Sequence, residues 1–360
     1  MNFLINTQTD WDEPPRARHQ LARALAIDHH VIFVSKNKYG TPRINISNPE
    51  KNITILSPFW YIKGKFTFRI PIINEIYQHW LFKKLKIKYR DYILINFDPT
   101  ASLLHKYFNK IIYLCNDDFL SKKRSKSVII SIYWYFKQRQ LIKEALFCTG
   151  VSRYLHNYLL KYNKNSHLML TGASFLNQKN ITYKVIEKNK NINIVYVGWL
   201  NKLNVKWIEY ISQNKKYNIY LIGPGLSKTM KPLKKNDNIV FTGELIGNEL
   251  REMMEKANIF IAPYYKDKDT EKVYTMPNKF WLYLSYGKPI VTCRINNLAK
   301  LPEKFVYQSK DEKEFITNID KAIKEYSETN FEKKLNFISQ NTWDNRVDKL
   351  LEYYHKYDAS

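Results

Sequence analysis

The chain has few cysteines, few glycines and few acidic residues for its length. Its three cysteines in 360 residues, Cys115, Cys148 and Cys293, lie far apart and share no metal-ligand spacing. An odd, sparse set of thiols fits a reducing cytosol better than a disulfide framework. The eight histidines show no metal spacing either, so no metal is expected. No apolar run is long. The longest, Val128 to Phe136, falls well short of the ~20 residues that a spanning helix needs. The opening MNFLIN starts a strand with no basic or long apolar leader region, so a secretory signal is not expected. The expectation is a cytoplasmic chain that is soluble, or that rests peripherally on a membrane without crossing it.

Acidic residues number 33 against 58 lysines and arginines, a formal net charge of +25. A surplus of that size raises a nucleic-acid reading. Yet richness in Lys, Asn, Ile and Tyr with only 10 glycines also follows from biased base composition in the gene. No RNA-recognition, zinc or helix-turn-helix signature accompanies the charge. The surplus is therefore read as marking anionic partners: phosphates of a nucleotide, a lipid pyrophosphate or an acidic membrane face. Nucleic acid is not an expected partner, and a basic nucleic-acid binder stays as the minor alternative.

What is present is ample apolar surface, 44% hydrophobic and 15% aromatic, which excludes wholesale disorder. Over 360 residues it suggests two domains. Short β-rich runs, NFLIN, HVIFVS, ITILS, YILINF and KIIYLCN, alternate with amphipathic stretches such as RARHQLARALA and NEIYQHWLFKKLKIKY. That alternation predicts a doubly wound parallel α/β sheet. After the polar segment NQKNITYKVIEKNKN the pattern restarts with INIVYVGWL, YNIYLIGPG, NIVFTGEL, NIFIAPYY and KPIVTC. The predicted organisation is α/β throughout: an acceptor-binding Rossmann-like domain over 1–172, a nucleotide-sugar-binding one over 173–338, and a helix over 339–360 that packs back on the first. The last helix has Asn341 or Thr342 as its expected cap. Paired domains of this kind place ligand in the cleft between them.

Three predicted strands of the second domain end in glycine, at Gly198, Gly223 and Gly243, where backbone can approach a phosphate closely. The loop Met276, Pro277, Asn278, Lys279 runs straight into the helix KFWLYLSYG. Its N–H groups, with the Lys279 charge, suit a pyrophosphate. The plain alternative is that Asn278 caps the helix and Lys279 is solvated. DKD at Asp267 to Asp269 has the spelling of a metal motif but sits in a charged loop, and is read as solvated. Near the start, Asp12 is the expected helix cap, Pro14 or Pro15 a first helical position, and Glu13 an acid at the favourable dipole end. Two stretches, Phe59 to Arg90 and Ser121 to Arg139, interleave aromatics with Lys and Arg, a composition suited to an anionic lipid headgroup boundary.

The blocks GEL, ANIFIAPY, PNKF and YLSYGKPIV together resemble the donor domain of GT-B glycosyltransferases, and NTWDNRV is similar to their tail helix. Many retaining members carry two glutamates with seven residues between them; Tyr274 and Leu282 stand at those positions here. TDWDEPPRARHQLARALA, KIIYLCNDDFL and LFCTGVSRYL narrow the resemblance to the xanthan-pathway glucuronosyltransferases, which are inverting, metal-independent and membrane-associated. That likeness implies a hexosyl- or glucuronosyltransferase-like enzyme using a nucleotide-sugar donor, UDP-linked, and a glycan or lipid-linked acceptor in capsule, O-antigen or exopolysaccharide synthesis. It aligns Asp117 of YLCND with the catalytic base; Asp118 is adjacent, and Asp10 is next in line. It also sets Glu244 near the nucleotide base and ribose, Tyr264 and Lys279 at the diphosphate, and Leu200 beneath the nucleotide. Leu282 replaces a glutamine. Trp11, Asp12, Arg16 and His19 would line the acceptor side. In physical terms, inversion needs one general base for the acceptor hydroxyl and positive charge for the leaving diphosphate. NDDF is also a good capping sequence, so one of its two acids has that competing role. A retaining enzyme of the same fold and a nucleotide-sugar epimerase remain as alternatives.

Overall fold

The computed structural model describes residues 1–68, 70–85, 87–101, 103–117, 127–173, 181–187, 190–265, 276–296 and 298–359. The chain divides into two units, Met1–Gly172 with Trp343–Ser360, and Ala173–Thr342.

Unit 1 carries strands β1 (Asn2–Asn6), β2 (His30–Val34), β3 (Lys38–Tyr39), β4 (Arg43–Glu50), β5 (Ile53–Trp60), β6 (Ile93–Asn96), β7 (Ile111–Cys115), β8 (Phe147–Gly150) and β9 (Ser166–Leu168). They form one sheet in the order β3-β5-β2-β1-β6-β7-β8-β9, with β4 on β5. Nearly every residue of β1, β2, β6, β7 and β8 is buried. Parallel strands covered on both faces read as continuous apolar runs for that reason. The helices are α1 (Ala17–Leu25), α2 (Gly64–Thr67), α3 (Pro71–Lys84), α4 (Val128–Glu144) and α5 (Arg153–Leu160). Because β2, β1, β6 and β7 are neighbours, the loops after β1, β6 and β7 emerge side by side at the carboxyl edge. Among the described residues, strand β4 is the one antiparallel member of this sheet. It turns back through Asn52, whose left-handed backbone (φ 62°) suits a hairpin.

The start of α1 differs from the expectation. Asp12 does not cap it, and Pro14 and Pro15 lie outside it. A residue that precedes proline is disfavoured in the helical region; residues 11–14 form a turn, with the Glu13 N–H donating to the Asp10 carbonyl at 3.2 Å, and the helix waits until Ala17. Arg16 occupies the N-cap position with extended backbone. His19 supplies the closing group: the Arg16 N–H donates to Nδ1 at 3.0 Å, which leaves Nε2–H to donate to the Asp10 carbonyl at 3.0 Å. Asp12 is left 84% exposed, 3.8 Å from Lys38.

Unit 2 holds β10 (Ile192–Val197), β11 (Tyr217–Ile222), β12 (Ile239–Gly243), β13 (Ile259–Ala262), β14 (Ile290–Cys293) and β15 (Val306–Ser309), all parallel, in the order β12-β11-β10-β13-β14-β15. Its helices are α6 (Val205–Ser212), α7 (Gly247–Lys256), α8 (Asn278–Leu284), α9 (Glu312–Lys324) and α10 (Glu328–Ser339). The chain then returns to unit 1 as α11 (Trp343–Asp358). There Trp343, Val347, Leu350 and Tyr354 join the core that holds Leu21 and Leu25 of α1. Lys110 ties the far end of α11 to the sheet through Asp358 at 2.7 Å. Among the described residues no helix is long and apolar enough to cross a membrane.

Unit 2 also buries two lysines that have no carboxylate partner among the described residues. Lys288 donates to the Tyr326 hydroxyl at 3.1 Å and Lys334 to the Asn330 carbonyl at 3.0 Å. Burial lowers each to about 8. An unfolded lysine keeps its proton up to the ordinary value of 10.5. Between those values the unfolded state binds more protons, so stability rises with pH across that window. Lys334→Met should raise stability at pH 7 by about 1–3 kcal/mol and flatten the rise between pH 8 and 10, read from urea melts at both ends of that range.

Candidate functional site

In unit 2, β12, β11 and β10 lie side by side, and the backbone at each carboxyl end is a glycine with positive φ: Gly243 at 77°, Gly223 at 132° and Gly198 at 135°. Two of these positions admit no side chain. A Cβ on Gly223 would stand 2.2 Å from the Gly198 carbonyl oxygen, and one on Gly198 would stand 2.6 Å from Lys279 Nζ. The loops are locked by backbone bonds from Gly198 N–H to the Ile222 carbonyl at 2.8 Å, Gly223 N–H to Gly243 at 2.7 Å and Leu200 N–H to Pro224 at 2.9 Å.

Lys279 lies across this opening. Its ammonium is 3.9 Å from the Tyr196 ring centre and 5.3 Å from that of Tyr264. Tyr196 is fixed in turn by a 3.0 Å bond from its hydroxyl to the Trp199 carbonyl. Tyr283, stacked on Phe260 at 4.3 Å, accepts the Val197 N–H at 2.8 Å and so anchors the end of β10. Among the described residues no carboxylate pairs with Lys279. Burial and the nearby Lys202 hold its pKa well below the usual lysine value. A cation short of counter-charge, set where backbone from two loops can approach closely, is arranged for a phosphate or diphosphate.

The remaining unit 2 positions divide. Leu200, Tyr264, Met276 and Pro277 are buried; Asn278 and Glu244 are exposed, Glu244 one residue beyond Gly243. Asn278 does not cap α8: Pro277 holds that position. The structure thus brings together Gly198, Gly223, Tyr264 and Lys279, with Tyr196 and Lys202 added. Tyr274, Asp118 and the acids Asp267 and Asp269 lie outside the described residues.

In unit 1, Asp117 is half-buried two residues past β7, and the next described helix, α4, is capped by Ser127. Asp10 pairs with Lys38 at 3.2 Å. Trp11 packs edge-on against Phe33 at 5.0 Å and lies under the Arg23 guanidinium at 4.9 Å. Arg16 pairs with Glu13 at 2.8 Å. His19, stacked on Phe33, has both ring nitrogens engaged, and burial lowers its pKa. Two groups at this edge were not singled out from the sequence. Asp98 is buried after β6, where burial raises its pKa and Thr100 bonds it, and Arg18 stands near both Asp98 and Asp117. The signal for Asp98 was available in NFDPT, a strand ending in Asp just as YLCND does.

Two parallel doubly wound units, with glycine loops and a lysine at the second, define a protein of the GT-B fold. Residues 191–325 match the family described as Glycosyl transferases group 1. The chain is 22% identical over 280 residues to TuaH of Bacillus subtilis (strain 168), assigned as a teichuronic acid biosynthesis glycosyltransferase; the match covers 71% of this chain and 69% of TuaH. In structure it is similar to a sucrose-phosphate synthase from Thermosynechococcus elongatus, with TM-score 0.67, 13% identity and coverage of 100% and 99% of the two chains. It is also similar to an alpha,alpha-trehalose-phosphate synthase (UDP-forming) from Burkholderia xenovorans, with TM-score 0.70, 10% identity and coverage of 98% and 99%.

The close approach of Gly223 and the Lys279 ammonium, without a carboxylate partner among the described residues, make opposite predictions for stability. Gly223→Ala should destabilise the ligand-free chain by about 2–4 kcal/mol, because the new Cβ meets backbone. Lys279→Met should leave stability unchanged or raise it, because a buried charge is removed. Urea melts of the two variants beside the parent check both.

Proposed function

We propose that this protein is a glycosyltransferase that moves a sugar from a UDP-linked donor, held on unit 2, to a glycan or lipid-linked acceptor on unit 1, in the synthesis of a bacterial surface polysaccharide. The observation that carries the reading is the Lys279 ammonium, without a carboxylate partner among the described residues, at the glycine-ended strands of a group 1 glycosyltransferase segment. The polysaccharide assignment is supported by the teichuronic acid role assigned to TuaH, and the uridine by the UDP-forming activity in the name of the trehalose-phosphate synthase. Lys279 offsets charge on the departing diphosphate, so the reaction is proposed to run without a metal. Asp117 takes the acceptor hydroxyl proton as that oxygen attacks the anomeric carbon, and the configuration inverts. The transferred sugar is a hexose or hexuronate, following the likeness to the glucuronosyltransferases noted above.

Placement on the inner face of the cytoplasmic membrane is part of the same proposal. Ile72 and Ile76 of α3 and Ile129, Ile132 and Phe136 of α4 are exposed apolar side chains. The two helices are joined through Glu75, which pairs with Lys137 at 2.7 Å and accepts from Tyr133 at 3.3 Å. Apolar side chains beside lysines suit an anionic headgroup layer.

A thermal-shift comparison of UDP, GDP, dTDP and CMP should show the largest rise for UDP, with that rise lost in Lys279→Met. Asp117→Asn should keep the UDP shift and lower transfer by about a hundredfold or more. A product with retained anomeric configuration overturns the inverting mechanism. In sedimentation with anionic vesicles, the parent should pellet and the double variant Ile129→Ser, Phe136→Ser should stay in solution.

A further inference from the structure

Arg18 stands on the first turn of α1, just beyond the loop that follows β1, and its guanidinium is only partly partnered. Nη1 donates to the Thr9 hydroxyl, while Nε is sealed from solvent and has no hydrogen-bond partner. In a guanidinium, Nη1 lies on the Cδ side, so Nε–H and Nη2 share the opposite edge as two parallel donors. That edge is the fork that matches the two oxygens of a carboxylate or phosphate. Here the only bond falls on the other side, and the fork is left without a protein partner among the described residues.

The surroundings hold the side chain in place without satisfying it. Asp98 and Asp117, after β6 and β7, act on Arg18 electrostatically, and the described residues offer neither as an ion pair. Asp98 Oδ1 is already occupied, accepting the Thr100 N–H at 2.8 Å and the Thr100 hydroxyl at 2.7 Å. The Phe97 ring lies 5.5 Å from the guanidinium carbon. Burial lowers Arg18 to about 10 in spite of the acids, so its charge is under-compensated. Among the described residues, three more buried polar atoms have no partner just past the carboxyl ends of β1, of its neighbour β2, and of β7, which β6 separates from β1: Thr7 Oγ1, Ser35 Oγ and Asn116 Oδ1. Carboxyl ends of strands are where doubly wound sheets take ligands.

We propose that the Nε and Nη2 edge of Arg18 is an oxyanion-binding fork of unit 1 that takes a carboxylate or phosphate group of the acceptor, with Thr9 and Asp98 as its positioning residues. That the anion belongs to the acceptor rests on the function proposed above; the binding of an oxyanion does not. Arg18 as a residue is half-buried rather than fully enclosed, and its charge favours an anion at that edge.

The full chain without donor tests this by calorimetry with methyl β-glucuronide, the uncharged methyl β-glucoside, and glycerol phosphate. At least one charged probe should bind about tenfold or more tightly than the glucoside, and which one does so identifies carboxylate or phosphate as the source. Arg18→Lys keeps the charge but not the fork, and should reduce that preference to near one. Arg18→Gln should do the same. In the parent, the Arg18 Nε–H resonance of arginine-labelled protein should move on saturation, a readout independent of whether either variant folds. An unmoved resonance, a preference that survives Arg18→Lys, or no preference for charge in the parent overturns the proposal. A chain that shows the UDP shift but no anion preference refutes this fork alone. One that shows the preference but no sugar transfer refutes the enzymatic reading alone.

Discussion

A lysine ammonium with no carboxylate partner among the described residues opposes folding, and much of the carboxyl edge of unit 2 is arranged around that one group. Tyr196 and Tyr264 give the Lys279 charge its aromatic faces, and the hydroxyls of Tyr196 and Tyr283 hold the strand end beneath it. Gly198 is glycine because its φ of 135° is one that L side chains rarely adopt, and Gly223 because a Cβ would meet the Gly198 carbonyl. In a setting less polar than water the attraction for a phosphate is stronger than it would be for an exposed lysine. The hydrophobic parallel core supplies the rigidity that lets an uncompensated charge persist.

Unit 1 solves a related problem by different means. The two prolines delay α1, and the His19 ring then joins the Arg16 N–H to the Asp10 carbonyl. That closure fixes the first turn, and with it the neighbouring Arg18, against the ends of β1 and β6. The acids that crowd the loop are drawn elsewhere, Asp10 to Lys38 and Glu13 to Arg16. The acid-rich loop therefore leaves a cationic edge at its end.

The parallel sheets were legible because buried strands are continuous apolar runs, and each of the quoted runs became a strand. β3, β4, β8, β9 and β15 escaped notice: RINISNPE is mostly exposed and polar, and the other four span only two to four residues each. The places of β4 and β15 depend on pairing with β5 and β14, which no local pattern encodes. At the site, the strand-end glycines and Lys279 were legible from their order along the chain. What they touch was not, since Tyr196 reaches Lys279 through strand order, across more than eighty residues of sequence. The expected Asp12 cap failed because proline geometry outweighs an acid's capping preference. Arg18 and Asp98 went unnoticed because a half-buried arginine and a buried aspartate are spelled no differently from solvated ones.

Unit 1 is interrupted in sequence by all of unit 2, and α11 fills a face of its core with Trp343, Val347 and Leu350. On the ribosome, the first 172 residues therefore emerge with that face still bare. Unit 2 is a continuous stretch and can complete its sheet first. The order of maturation is then reversed relative to the order of synthesis: unit 2 is finished while unit 1 still waits for its closing helix. During that interval Leu21, Ala22 and Leu25 on α1 lack the side chains that cover them, and a nascent chain at this stage presents an apolar stripe that chaperones can hold.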